Sequence, residues 1–187
     1  MLFRSRLDVS DHANIEALAK ELRGEAIDIL VSNAGILIRE EIDGYSLDDF
    51  DRMFAVNVRA PFVAAQAVLP HMGEGGRIIT TGSVAAERAG FSGASVYSMT
   101  KGAVAAMTKG LARDLGPRGI TVNAIQPGPT ETDMAGDERT KALTLPLLPV
   151  GRMGRDSEIA GLVAYLAGPE AGFVNGAALT IDGGYLA

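Results

Sequence analysis

"GRIITTGSVAAERAGFSGASVYSMTKGAVAAMTKGLARDLGPRGITVNAI", residues 76–125, reads as a complete strand–helix–strand unit. "GRIITTGS" (76–83) is short, rich in β-branched residues and ends at Gly-Ser, which predicts a strand. "VYSMTKGAVAAMTKGLARDLG" (96–116) is far too long for a strand and spaces its apolar residues at helical intervals. "ITVNAI" (120–125) predicts the next strand. Two strands joined by a helical crossover lie parallel, because a tight hairpin can join only antiparallel neighbours.

Working outward, "IDILVS" (27–32) is an apolar run that stops at "NAG", as a strand buried on both faces would. A helix follows Ser46, with Asp49 three residues on, and its apolar pattern runs to about Met72, with Pro61 expected to bend it. Upstream, Ile15, Leu18, Ala19 and Leu22 recur at helical spacing from about 11 to 22, with Ser10 placed to cap the helix and Gly24 to end it. Downstream, a long connection of 20 or more residues precedes the helix "SEIAGLVAYLAG" (157–168) and a last strand, "AALTI" (177–181). Strands and helices alternate throughout. The pattern predicts one α/β domain over residues 1–187, a doubly wound parallel sheet with helices on both faces.

Composition narrows the chemistry. The 187 residues are 47% hydrophobic, enough for one sizeable core. With no cysteine, disulfides, thiolate metal sites and a cysteine nucleophile are excluded, and His12 and His71 lie far apart in sequence, so no metal site is expected. A net charge of −6 with scattered Lys and Arg argues against a nucleic-acid partner. No run approaches a membrane span and no apolar leader opens the chain, so the expected setting is the cytoplasm, away from membranes.

"YSMTK" carries the strongest chemical signal, since four residues along a helix place Tyr97 and Lys101 on one face, about 6 Å apart along the axis. With four tyrosines and four lysines, such a coincidence is roughly a one-in-ten event, so the pair alone is also consistent with an exposed helical pair. A positive charge about 5 Å away, at an effective dielectric of about 20, would lower a phenol by about two pKa units. Ser83, at the carboxyl end of its strand, stands where open α/β sheets place ligands. Its bland reading is a serine in a polar turn. Asn57 sits in mid-helix near Pro61, where its amide can serve water or a freed carbonyl.

Taken together, "NAG" (33–35), "NV" with Asn57, "GS" with Ser83, "YSMTK", "VNAIQPG" (122–128) and "IDGG" (181–184) resemble, in order and approximate spacing, the short-chain dehydrogenase/reductase family. The resemblance runs from Leu7 almost to the end and implies a Rossmann-like fold and an oxidoreductase that exchanges hydride between NAD or NADP and a small alcohol or carbonyl compound. It makes Tyr97 the acid/base, Ser83 the group that orients the substrate oxygen, and Lys101 the residue that lowers the Tyr97 pKa and binds the nicotinamide ribose. Asn57 would hold a relay water. Asp8 and Val9 match the positions beside the adenine, and Asn33, Ala34 and Gly35 those along the adenosine. Pro127 and Gly128 lead a run facing the nicotinamide, in which Thr130 and Thr132 would contact its carboxamide and phosphate. Positions 84–95 and a lid over 134–154 would set specificity for a small, mainly apolar carbonyl.

The family opens with a strand, a T-G-x-x-x-G-x-G turn and further elements that have no counterpart here, so the resemblance implies a sheet lacking its first strands and helices. Neither "GEGG" (73–76) nor "GFSGAS" (90–95) sits between a first strand and its helix. The chain is therefore expected to be a fragment of a longer product, with "IDILVS" as an open sheet edge. The alternative function is a nucleotide-binding or regulatory homologue without turnover, or an inactive remnant. The small face of Gly102, Ala103, Ala106 and Gly110 suits close packing, either against a second copy in a dimer or tetramer or against the core.

Overall fold

The computed structural model of the chain describes residues 6–21 and 25–187. Its elements follow in the order α1 (His12–Glu21), β1 (Ile29–Ser32), α2 (Leu47–Phe54), α3 (Ala60–Val68), β2 (Arg77–Thr81), α4 (Ser95–Leu115), β3 (Thr121–Pro127), α5 (Glu138–Thr144), α6 (Asp156–Ala167) and β4 (Ala178–Ile181). The four strands form one parallel sheet in the order β1-β2-β3-β4, with Ile29 opposite Arg77, Arg77 opposite Thr121, and Ala124 opposite Ala178.

Adjacent isoleucines on β2 show how the layers are made. Side chains of a strand alternate between faces, so Ile78 and Ile79 point oppositely. Ile78 packs with Val122, Ala65, Val68 and Leu115, beneath α3 and α4. Ile79 packs with Ile125 and Leu166, beneath α6. Both are 1% exposed, and all of β3 up to Gln126 is buried. Helices thus cover the sheet on both faces, as the continuous apolar strands require.

β1 differs. Among the described residues it pairs with β2 alone, and Ile29 and Val31 remain 45% and 43% exposed. An apolar groove of about 350 Å³ runs along this edge between α1 and α3, lined by Val9, Ile15, Leu30 and Val56 among others.

Several local expectations change. Asp11, not Ser10, caps α1: its carboxylate accepts from the Ala13 amide at 3.0 Å, while Ser10 donates its own amide and hydroxyl to Asp8. Leu22 and Gly24, placed at the end of this helix, lie outside the described residues. Ser46 does cap α2, accepting from the Asp49 amide at 3.1 Å. Between α2 and α3, residues Ala55–Arg59 form a π turn just ahead of Pro61. Pro61 has no amide hydrogen to donate, and the widened turn absorbs the mismatch within one continuous helical run. By length and composition alone that run, Leu47–His71, reaches what a membrane span needs. Here it packs against β1, α1 and the α4 region, with Met53, Ala65 and Val68 buried. The small-residue face of α4 points away from the core: Ala106 and Gly110 are exposed, and Val104, Thr108 and Ala112 take the inward positions.

Candidate active site

Three chain segments leave the sheet at its carboxyl end and meet there. Asn33–Gly35 follows β1, Gly82–Ser83 follows β2, and Gly128–Thr130 follows β3. Gly82 allows β2 and β3 to close at this point. Its amide donates to the Ile125 carbonyl at 2.7 Å, and a Cβ there would stand 2.9 Å from that oxygen.

Ser83 is extended (φ −172°) and caps a short 3-10 turn, its Oγ accepting from the Ala85 amide at 3.1 Å. That bond leaves the hydroxyl proton free to donate outward. Tyr97 and Lys101 come from the first turns of α4, with Nζ 5.6 Å from the phenol ring centroid. Lys101 is 5% exposed, donates to the Thr81 carbonyl at 2.8 Å, and is pulled down to about 8 by burial. Burial also raises the Tyr97 phenol above its ordinary value, partly countered by the Ser83 hydroxyl, which favours the phenolate. The sequence expectation that Lys101 brings Tyr97 toward neutrality thus differs from what this chain shows. Desolvation is the leading cause at both groups, because it penalises both charged forms.

Asn57 lies in the π turn, 2% exposed. Its Oδ1 accepts from the Ile36 amide at 2.9 Å, and its Nδ2 donates to the Ile36 carbonyl at 2.9 Å and to Thr100 Oγ1 at 3.1 Å. Both amide protons are spent, so the side chain retains only one Oδ1 lone pair for a water. It pins the loop after β1 to α4.

Two threonines not singled out in the sequence complete this network. Thr100, 0% exposed, donates to the Tyr97 carbonyl at 2.7 Å while accepting from Asn57. Thr81 Oγ1 donates to Asn33 Oδ1 at 3.0 Å, and its carbonyl holds Lys101. The signal for Thr100 was its place three residues after Tyr97, since helical threonines bond back to the preceding turn.

The remaining candidates are less tightly grouped. Asp8, exposed, is held below the usual carboxylate range by the Ser10 hydroxyl and amide. Val9 shares the edge groove with Asn33 and Ala34. Gly35 faces Lys101, and a Cβ there would lie 3.6 Å from Nζ. Thr130 Oγ1 donates to the Gly128 carbonyl at 2.9 Å, and Thr132 is exposed. The connection over 134–154 is not simply a loop, because it contains α5, capped by Asp137 accepting from Thr140 at 2.9 Å. Its ends are fastened where Thr130 and Gly154 pair, with Glu131 donating to the Gly154 carbonyl at 2.9 Å.

Residues 3–186 match the family model described as enoyl-(acyl carrier protein) reductase. The chain belongs to the short-chain dehydrogenase/reductase family. Within the family it is 44% identical over 178 residues to the cyclic-di-GMP-binding biofilm dispersal mediator protein of Escherichia coli, covering 94% of this chain and 75% of that one. It is 39% identical to the 3-oxoacyl-(acyl-carrier-protein) reductase FabG of Vibrio harveyi, covering 95% and 75%. The solved structure of a short-chain dehydrogenase from Burkholderia cenocepacia in complex with NADP superposes at a TM-score of 0.92 with 44% identity, over 97% of this chain and 76% of that one. The chain therefore spans about three quarters of these relatives' lengths.

Proposed function

We propose that this short-chain dehydrogenase/reductase exchanges hydride between NAD or NADP and a small alcohol or carbonyl compound, with Tyr97 as the acid/base. The observation that carries this reading is the convergence of Ser83, Tyr97 and buried Lys101 at the carboxyl end of β2. Support for the cofactor comes from the NADP complex of the Burkholderia cenocepacia relative and from the residues themselves. Gly35 stands beside Lys101, where the two would hold a ribose, and Val9 lines the edge groove together with Asn33 and Ala34.

When bound, the nicotinamide supplies or takes the hydride. The chain's own residues handle the oxygen. Ser83, its acceptor side satisfied by Ala85, donates its proton to the substrate oxygen and orients it. Tyr97, whose burial disfavours the phenolate, gives its proton to that oxygen during reduction. Lys101, largely charged at pH 7 and held by the Thr81 carbonyl, would steady the developing phenolate and bind the cofactor ribose. Asn57 and Thr100 fix the backbone that carries Tyr97. The exposed Met134, Leu143, Leu145 and Leu147 over the connection favour a mainly apolar carbonyl. The outward face of Gly102, Ala103, Ala106 and Gly110 suits a homo-oligomer.

The second reading, a nucleotide-binding or regulatory protein without turnover, is favoured by the 44% identity to a cyclic-di-GMP-binding protein. Titration of NADPH, NADH and cyclic-di-GMP, followed by assay of reduced-nicotinamide oxidation with a panel of oxo compounds, separates the two. Carbonyl-dependent oxidation lost in Tyr97→Phe supports the enzyme. Binding of cyclic-di-GMP with no oxidation of either reduced nucleotide supports the regulator and overturns the enzyme.

A further inference from the structure

The loop that follows Ser83 is held by a residue from the far end of the chain. Arg88 Nη1 donates to the Tyr185 carbonyl at 2.8 Å, across 97 positions of sequence. The same guanidinium lies 4.6 Å over the Tyr185 ring. Tyr185 is 7% exposed and packs with Val84, next to Ser83, and with Leu148 and Met153 on the return leg of the connection after β3. Gly90 completes the enclosure, since a Cβ there would overlap the Tyr185 hydroxyl. From below, Asp182 sets the turn that presents the ring, accepting from the Gly184 and Leu186 amides at 2.9 Å each. One ring therefore joins the Ser83 loop, the end of the lid and the chain terminus.

We propose that Arg88 and Tyr185 form a clasp that positions the Ser83 loop against the lid, so that the C-terminal turn tunes substrate binding. Neither residue touches the reacting atoms; both are positioning residues. Their effect on catalysis rests on the reading of Ser83 and Tyr97 given above, whereas the clasp itself does not. A charge-assisted hydrogen bond and a cation–π contact act together on one loop, and the ring face and the carbonyl both prefer a cation. Tyr97 and Lys101 lie on the rigid α4, so loosening the loop weakens capture of substrate and leaves the proton transfer intact.

The test uses the full chain with Arg88→Met, Arg88→Lys, Tyr185→Phe, Gly90→Ala and the Gly90→Ala/Tyr185→Phe double variant. Arg88→Met is expected to speed amide exchange at residues 84–94 and 183–187 by about five- to tenfold, with β2 and β3 amides unchanged. It is expected to raise KM for the carbonyl substrate about five- to tenfold with kcat within about twofold. Arg88→Lys, which keeps the cation and a donor, restores most of both. Gly90→Ala reproduces the loosening in the native background but is largely tolerated beside Tyr185→Phe, where the nearest ring atom is Cζ, 3.3 Å from the new Cβ. Unchanged exchange in Arg88→Met, or simple addition of the Gly90 and Tyr185 effects, overturns the clasp. A chain that oxidises no reduced nucleotide overturns the catalytic reading, while the exchange measurements still decide the clasp.

Discussion

β1 and β2 are both short strands carrying β-branched apolar residues and reach opposite states. Ile78 and Ile79 on β2 are 1% exposed, whereas Ile29 and Val31 on β1 are 45% and 43% exposed. β2 has a strand on each side and helices above and below; among the described residues β1 has a strand on one side only. Burial is therefore decided by place in the sheet, not by the apolar run itself. The same contrast holds for polar groups. At the carboxyl end of β2, Asn57, Thr81, Thr100 and Lys101 bond to one another's segments, while the edge groove is lined almost wholly by apolar side chains.

The sharpest break of this contrast is at the closed end. Tyr97→Phe is expected to lower carbonyl-dependent oxidation of reduced nicotinamide by about 10³-fold, with an unchanged melt, because the acid/base is lost and the ring is kept. A rate within tenfold of the native chain would remove Tyr97 from the mechanism. Packing gives the next effect. Ile79→Ala should cost about 3–4 kcal/mol in urea unfolding, against under about 1 kcal/mol for Val31→Ala, because only the first leaves a sealed cavity. Similar losses at both sites would show that the β1 edge is covered in solution.

Lys101 supplies a third effect, of opposite sign. Burial lowers its pKa from 10.5 to about 8 in the folded chain, so between those values the unfolded chain binds the proton more tightly. The penalty is full below about pH 8 and fades as pH rises toward 10.5. Lys101→Met is therefore expected to stabilise the fold by about 1–3 kcal/mol at pH 7 and by less near pH 10, despite losing the bond to Thr81. Melts at the two pH values check it. The smallest change is Val31→Lys, expected to shift stability by less than about 0.5 kcal/mol while reducing self-association in sedimentation, since a charged edge resists strand addition.

The fold was legible because its signals are local. "GRIITTGS" and "ITVNAI" each carry the apolar run of a doubly covered strand, and Ser46 with Asp49 marks a helix start. α5 escaped because seven residues hold too few turns for a periodic pattern, and its sign was the cap at Asp137 alone. At the site, Tyr97 and Lys101 were legible through one helical interval and Ser83 through its strand end. Thr81 was not, since its carbonyl acts on Lys101 through the backbone, where any residue reads alike.

By itself, the sequence determined the order of strands and helices and the residues available for chemistry, because periodicity, capping and residue type act over a few positions. Only the tertiary structure decided which groups meet and what they become. Burial turned Lys101 into a weak base and raised Tyr97, and Asn57 was given over to Ile36 and Thr100. Arg88 met Tyr185 across 97 positions. Desolvation and long-range contact depend on which surfaces come together in space, and no local pattern encodes that distance.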